Sequence, residues 1–140
     1  MVSVKDLFEE RKLRKVGADL GKSKQSVIIS EKKLKEANEL FKSGFYEQSI
    51  LSAYTSMFHI ARAFLYKDGI QEKSHYAVYV YLKEKHSNLI STGLLESFLN
   101  HQSERKEILY GFDYSADKDE AKLCIEDAEA FYEQIVEILK

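Results

Sequence analysis

The sequence predicts an all-α protein, an antiparallel bundle of four long helices and one shorter helix. The 140 residues contain no proline and only six glycines, so few residues interrupt a helix. The glycines separate segments of helical length. Within those segments apolar side chains recur at steps of three and four residues, which is the spacing of one helix face. Short loops between such helices favour an antiparallel arrangement.

The first long helix is predicted to begin at a serine and to end near Gly44. Either Ser23 or Ser26 can cap its N-terminus. Glycine at position 44 suits a left-handed C-terminal cap. The face that this helix turns to the core is expected to be small or apolar and consists of Val27, Ser30, Leu34, Ala37 and Phe41.

The second helix is predicted to run from about Phe45 to Tyr66 and to lie at the centre of the bundle. Its apolar residues cover most of its circumference, which is typical of a helix that is surrounded by others. The remaining stripe is polar or aromatic and consists of Ser52, Thr55, His59, Arg62 and Tyr66.

Three further helices and an N-terminal arm complete the prediction. A third helix follows Ser74 and runs through His86. A fourth follows Ser91 and ends near Gly111, and a last one follows Ser115 or Asp117. Residues 1–20 are expected to form a short amphipathic arm, and residues 23–139 the bundle. Together they predict a single domain over residues 1–140.

The composition excludes several classes of protein. An apolar fraction of 44% with 31% charged residues excludes disorder and membrane spans. One cysteine excludes a disulfide framework and fits a reducing compartment, so we expect a cytoplasmic protein that does not bind membranes. The net charge is +4 over residues 1–70 and −6 over residues 71–140. This asymmetry fits either a basic surface for nucleic acid or two ordinary solvated faces.

No cofactor or metal site is predicted. A di-iron bundle needs two Glu-x-x-His motifs and two further glutamates, and only Glu72 with His75 matches. Phosphate-binding glycine loops are missing. Cys124 lies on the apolar row of the last helix and is expected to be a core residue.

Two arginines are the candidate binding residues. Arg62 lies on the central helix beside His59, and Arg105 precedes the aromatic residue Tyr110. A guanidinium inside a bundle cannot lose its charge, so it must pair with a carboxylate or face a cleft. An arginine beside aromatic rings suits a phosphate and a stacked base. Both interpretations, an anion site and an internal ion pair, remain open from the residues alone.

The stretch from Ser52 to Leu65 resembles the second helix of HEPN domains, the "higher eukaryotes and prokaryotes nucleotide-binding" family. Gly69, the sequence Lys73-Ser74-His75, and Arg105 followed by Tyr110 resemble the stand-alone prokaryotic branch of that family. The resemblance covers about residues 23–139. It implies a helical bundle that forms a homodimer.

The resemblance implies three kinds of function. Many members are metal-independent RNases in which an arginine and a histidine four to six residues later share the dimer cleft. Others are partners of minimal nucleotidyltransferases in toxin–antitoxin pairs, and others bind nucleotides or RNA without cutting. Arg105 matches the arginine, but the histidine positions hold Tyr110, Gly111 and Phe112.

The expected function is therefore a nucleotide- or RNA-binding component of a two-gene toxin–antitoxin-type system with a nucleotidyltransferase. Arg105 would hold phosphate, Tyr110 would line the pocket, and Arg62 and His59 would support it. The alternatives are an RNase toxin and a helical interaction module without a ligand. Weak or no RNase activity is expected, since a tyrosine does not titrate near neutral pH. The apolar side chains expected to be in excess, and so to form the homodimer, are Tyr76, Tyr79, Val80, Tyr81 and Phe98.

Overall fold

The structure, a computed structural model, describes residues 2–140, which form six helices and one small antiparallel sheet. The helices are α1 (Val4–Glu9), α2 (Leu20–Lys42), α3 (Tyr46–Asp68), α4 (His75–His86), α5 (Thr92–Tyr110) and α6 (Lys118–Leu139). The strands are β1 (Leu13–Lys15) and β2 (Ile70–Glu72). The predicted all-α fold is confirmed, with α2, α3, α5 and α6 as the long helices and α4 as the shorter one.

The starts of α4, α5 and α6 follow from short polar caps. The Ser74 hydroxyl accepts the Ala77 backbone N–H at 3.0 Å and begins α4, as predicted. Ser91 begins α5 in the same way. Of the two residues considered for α6, Asp117 is the cap, because its carboxylate accepts the Glu120 N–H at 2.8 Å.

The predicted cap of α2 is wrong. The helix begins earlier, at Leu20, and its cap is Asp19, whose carboxylate accepts the Lys22 N–H at 2.9 Å. Ser23 and Ser26 are buried inside the helix. A serine hydroxyl can also donate to a backbone carbonyl of a neighbouring helix, and both side chains do so here.

Serine hydroxyls bond α2 to α3 along their shared interface. Ser23 donates to the Ala63 carbonyl at 2.8 Å, and Ser26 donates to the His59 carbonyl at 2.7 Å. Ser30 and Ser56 each donate to the other's carbonyl at 2.8 Å. These side chains are small, so the two helix backbones approach closely, and each buried hydroxyl has a partner. The contact holds α3 firmly against α2.

The N-terminal segment is more ordered than the expected arm. Leu7 of α1 and Leu13 of β1 are buried in the common hydrophobic core. Strand β1 pairs with β2 in antiparallel register, with Leu13 opposite Glu72 and Lys15 opposite Ile70. Three-residue strands are too short to show a period of two, which is why the sequence pattern does not reveal them.

Most of the apolar residues expected to be in excess are part of the core, which corrects that prediction. Tyr79, Val80, Tyr81 and Phe98 are all buried, and only Tyr76 is exposed. Phe98 lies between Tyr54 and Phe131, with ring centroids 5.8 and 5.1 Å away. Among residues 2–140, every helix is too short or too polar to cross a bilayer.

The serine interface predicts a strong dependence on side-chain size at position 30. Replacing Ser30 with alanine removes one buried hydroxyl and should lower the free energy of unfolding by about 1 kcal/mol. Replacing it with leucine should cost about 3 kcal/mol, because the larger side chain pushes the helices apart. Urea unfolding followed by circular dichroism measures both. The exposed Ser103→Ala is the control, and a leucine variant as stable as the control would contradict the interpretation.

Candidate functional site

Four side chains from two helices lie around the imidazole of His75, and we call the five residues the His75 cluster. They are Tyr54, Phe58 and Arg62 of α3, His75 of α4 and Arg105 of α5. The three α3 residues are spaced by four and therefore form one row on that helix. His75 is the first residue of α4, directly after its Ser74 cap.

His75 is held on several sides. Its Nδ1 lies 2.8 Å from the Tyr54 hydroxyl oxygen. Its ring stacks on Phe58 with 4.1 Å between centroids. From α5, the Gln102 amide donates to the His75 backbone carbonyl at 3.0 Å. The orientation of the imidazole is thus fixed by both neighbouring helices.

The imidazole of His75 is neutral at physiological pH. Burial lowers its pKa, and the positive charges of Arg105 and Arg62 add to the effect, giving a value of about 4. Burial raises the pKa of the Tyr54 phenol, so this hydroxyl keeps its proton. Within residues 2–140, His75 Nδ1 is the hydrogen-bond acceptor available to that proton. His75 therefore carries its own hydrogen on Nε2, and this nitrogen is a donor.

Arg105 carries a charge that no internal carboxylate neutralises. Its guanidinium lies over the Tyr54 ring, with Cζ 5.9 Å from the centroid. No carboxylate of residues 2–140 comes within 4.0 Å of it. The adjacent Glu104 is engaged elsewhere, by His101 at 2.9 Å and by the Tyr114 hydroxyl at 3.0 Å. Arg105 is half-buried and unpaired, as an anion-binding arginine would be.

Arg62 differs from Arg105, because it has an internal carboxylate partner. Its Nε lies 2.9 Å from Glu72 Oε1, in a contact that is an ion pair without good hydrogen-bond alignment. The Glu72 side chain is only 7% exposed. The guanidinium also lies over Phe58 and Tyr66, 5.7 and 5.4 Å from their centroids. Of the two interpretations open from the sequence, the ion pair describes Arg62.

His59 lies near Arg62, at a small pocket next to the His75 cluster. Both residues line a small pocket of about 140 Å³ between α2 and α3, together with Lys22 and Tyr66. Burial lowers the pKa of His59, and the positive charges of Arg62 and Lys33 lower it further. Arg62 thus lines this pocket and is also a member of the His75 cluster.

Tyr110 lies outside the cluster. It is the last residue of α5 and is 75% exposed. Five residues on a helix turn by about 500°, so Tyr110 and Arg105 point in different directions. The structure therefore brings Arg62 and Arg105 close enough to His75 for both charges to lower its pKa. The sequence singles out His75 through the incomplete metal motif and the family resemblance, and not as a neighbour of either arginine.

Residues 24–139 match the family model of the HEPN domain. This chain belongs to the HEPN family. The match covers α3, α4 and α5, and with them every residue of the His75 cluster.

Two archaeal proteins are similar to this HEPN protein. One, from Methanocaldococcus jannaschii, is named "Putative toxin MJ0605" and is 28% identical over 127 residues, which cover 87% of this chain and 92% of that protein. The other is a "UPF0332 protein" of Archaeoglobus fulgidus, 31% identical over 109 residues, which cover 75% of this chain and 85% of that protein.

We expect the ring of His75 to titrate near pH 4 and to carry its hydrogen on Nε2. Nitrogen–proton correlation spectra of the histidine rings report both the midpoint and the tautomer. The fold favours the neutral ring, so His75 contributes less stability as the pH falls from its ordinary pKa of 6.5 towards 4. Tyr54→Phe should remove the preference for one tautomer. A wild-type midpoint near 6.5 would contradict this description.

Proposed function

We propose that this HEPN protein binds a phosphate group of a nucleotide or an RNA at the His75 cluster, with Arg105 as the main anchor. The unpaired guanidinium of Arg105 supports this most directly. A half-buried cation without a carboxylate partner is unfavourable unless an external anion pairs with it. Phosphate accepts several hydrogen bonds in the planar geometry that guanidinium offers.

His75 adds a neutral donor to the same site. Its Nε2–H has no hydrogen-bond partner among residues 2–140, whereas Nδ1 is occupied by Tyr54. Arg62 contributes less charge, because Glu72 already balances it. We infer that a phosphate oxygen is bound between the Arg105 guanidinium and the His75 ring, with Arg62 strengthening the positive potential.

Exposed aromatic rings further along α5 fit a base. Tyr110 lies about 7.5 Å from Arg105 along the helix axis at 1.5 Å per residue. Its ring and that of Phe112 are open to solvent. Bases stack on exposed aromatic rings with little sequence preference. In this proposal Tyr110 contacts a base of an RNA strand that passes from Arg105 around the end of α5, and His59 acts only through Arg62.

We further propose that the protein works as a homodimer with a minimal nucleotidyltransferase partner in a toxin–antitoxin-type pair. The family membership supports this, together with the name of the M. jannaschii relative. Light scattering at micromolar concentration measures the mass, and a value near that of the 16.2 kDa protomer would contradict the homodimer. Co-purification with the product of a neighbouring nucleotidyltransferase gene tests the partner.

A metal-independent RNase toxin is the second candidate. A histidine close to an arginine favours it, since these two residue types can move a proton and hold a phosphate. The tautomer argues against strong activity, because an Nε2 that already carries a hydrogen cannot accept one from a ribose hydroxyl. If neither binding nor cleavage occurs, the protein is an interaction module.

Arg105→Ala should weaken binding of a labelled single-stranded RNA or of ATP by about 10–100-fold, the loss expected for charge-assisted hydrogen bonds. Fluorescence anisotropy at fixed salt measures the affinity, and circular dichroism checks the helices. Arg11→Ala, at an exposed arginine between α1 and β1, is the matched control for loss of one positive charge. Equal affinities of the two variants would exclude Arg105 as the anchor.

The wild-type protein should cleave RNA weakly or not at all, with or without EDTA. A positioned acid–base group is worth about 10²–10⁴-fold in rate, and no free imidazole lone pair faces Arg105. Gel analysis of a labelled single-stranded RNA compares the wild type with Arg105→Ala and His75→Ala. Robust wild-type cleavage that both variants abolish would favour the RNase toxin instead.

A further inference from the structure

A second group of ionisable side chains lies between α5 and α6, one helical turn before Arg105. His101 and Glu104 come from α5, and Cys124 comes from α6. A ring nitrogen of His101, a carboxylate oxygen of Glu104 and Cys124 Sγ all lie within 4.8 Å of one another. His101 and Cys124 are buried, and Glu104 is partly exposed. Nitrogen, oxygen and sulfur donors therefore converge between the two helices.

Neighbouring groups orient this set of donors. Glu104 Oε1 lies 2.9 Å from His101 Nδ1, so Nδ1 is the ring nitrogen that faces the carboxylate of Glu104. The other ring nitrogen, Nε2, lies 2.8 Å from Asp127 Oδ2. The Tyr114 hydroxyl donates to Glu104 Oε2 at 3.0 Å. A carboxylate on the outer nitrogen of a histidine is the usual support of a metal-binding imidazole.

We propose that His101 Nδ1, Glu104 and Cys124 bind a zinc-like divalent cation, with Asp127 holding His101 Nε2–H and a water molecule as the fourth ligand. Zinc accepts nitrogen, oxygen and sulfur ligands together in a tetrahedron, whereas magnesium and calcium do not favour a thiolate. Donor atoms in such a site are roughly 3.5 Å apart, so small side-chain rotations suffice. This site is separate from the proposed phosphate site.

The charges of the group also fit a divalent ion. Each His101 ring nitrogen lies within 3 Å of a carboxylate oxygen, Nδ1 at Glu104 and Nε2 at Asp127, so the metal-free ring donates on both sides as an imidazolium. Cys124 Sγ donates to the Ile50 backbone carbonyl at 3.9 Å, so the metal-free group is a thiol. One imidazolium and two carboxylates sum to a charge of −1. A divalent cation displaces both protons to solvent, and with one thiolate and two carboxylates the sum is again −1.

Cobalt(II) tests the proposal directly, because Cys124 is the single cysteine of the chain. The full-length protein is first treated with a chelator and then titrated with cobalt chloride without oxygen. We expect a thiolate-to-cobalt charge-transfer band that saturates at one equivalent per protomer. Zinc chloride should abolish the band by competition. The band can only arise from Cys124, so it reports the site without any assay of function.

Variants then separate the ligands from their support. Cys124→Ser should lose the band, and Asp127→Asn should retain it with about 10–100-fold weaker cobalt binding, as for other outer partners of metal ligands. The exposed Glu126→Gln on the same helix should bind like the wild type. Circular dichroism confirms that each variant is folded. A folded wild-type protein that gives no band with excess cobalt overturns the proposal, and His101 is then only an imidazolium held between two carboxylates.

Discussion

The reversal of the chain after α3 determines where the His75 cluster forms. Gly69 ends α3 in a left-handed conformation with φ of +74°. A Cβ at this position would lie 2.7 Å from the Val16 carbonyl oxygen, so only glycine fits. From Gly69 the chain runs back along α3 as β2, and pairing with β1 holds it there. Six residues of extended chain span about 20 Å, which is the distance from the end of α3 back to the level of Tyr54 and Phe58.

This return path explains which parts of the site could be predicted from the sequence. The candidate arginines were found because a charge on an inner helix needs a partner. The sequence does not predict that His75 lies near Arg105, because strands as short as β1 and β2 leave no recognisable pattern in it. A reader who does not know of β2 would expect α4 to begin next to Asp68, at the end of α3 and far from Tyr54. The same strand places Glu72 beside Arg62, so the sequence does not predict that ion pair either.

The helices themselves were largely predictable, because caps and periodicity act locally. Ser74, Ser91 and Gly69 mark helix ends through their own side chains or their lack of one. The error at the start of α2 has a tertiary cause. A serine can cap a helix or bond to a neighbouring carbonyl, and Ser23 and Ser26 do the latter because α3 packs against them. Sequence alone does not tell which of these partners a serine will have.

His75 and His101 show how burial and neighbouring groups decide the charge of a histidine. His75 is partly buried against aromatic rings and lies near the charges of Arg105 and Arg62, which together lower its pKa, so the ring is a neutral donor. His101 lies between two carboxylates, and its ring keeps the proton. His101 and Arg105 are four residues apart on α5 and so lie on one face of that helix. The contact of His101 with Asp127 of α6 therefore fixes the turn of α5 that carries Arg105. This holds whether the two helices are joined by that hydrogen bond alone or also by the proposed metal ion.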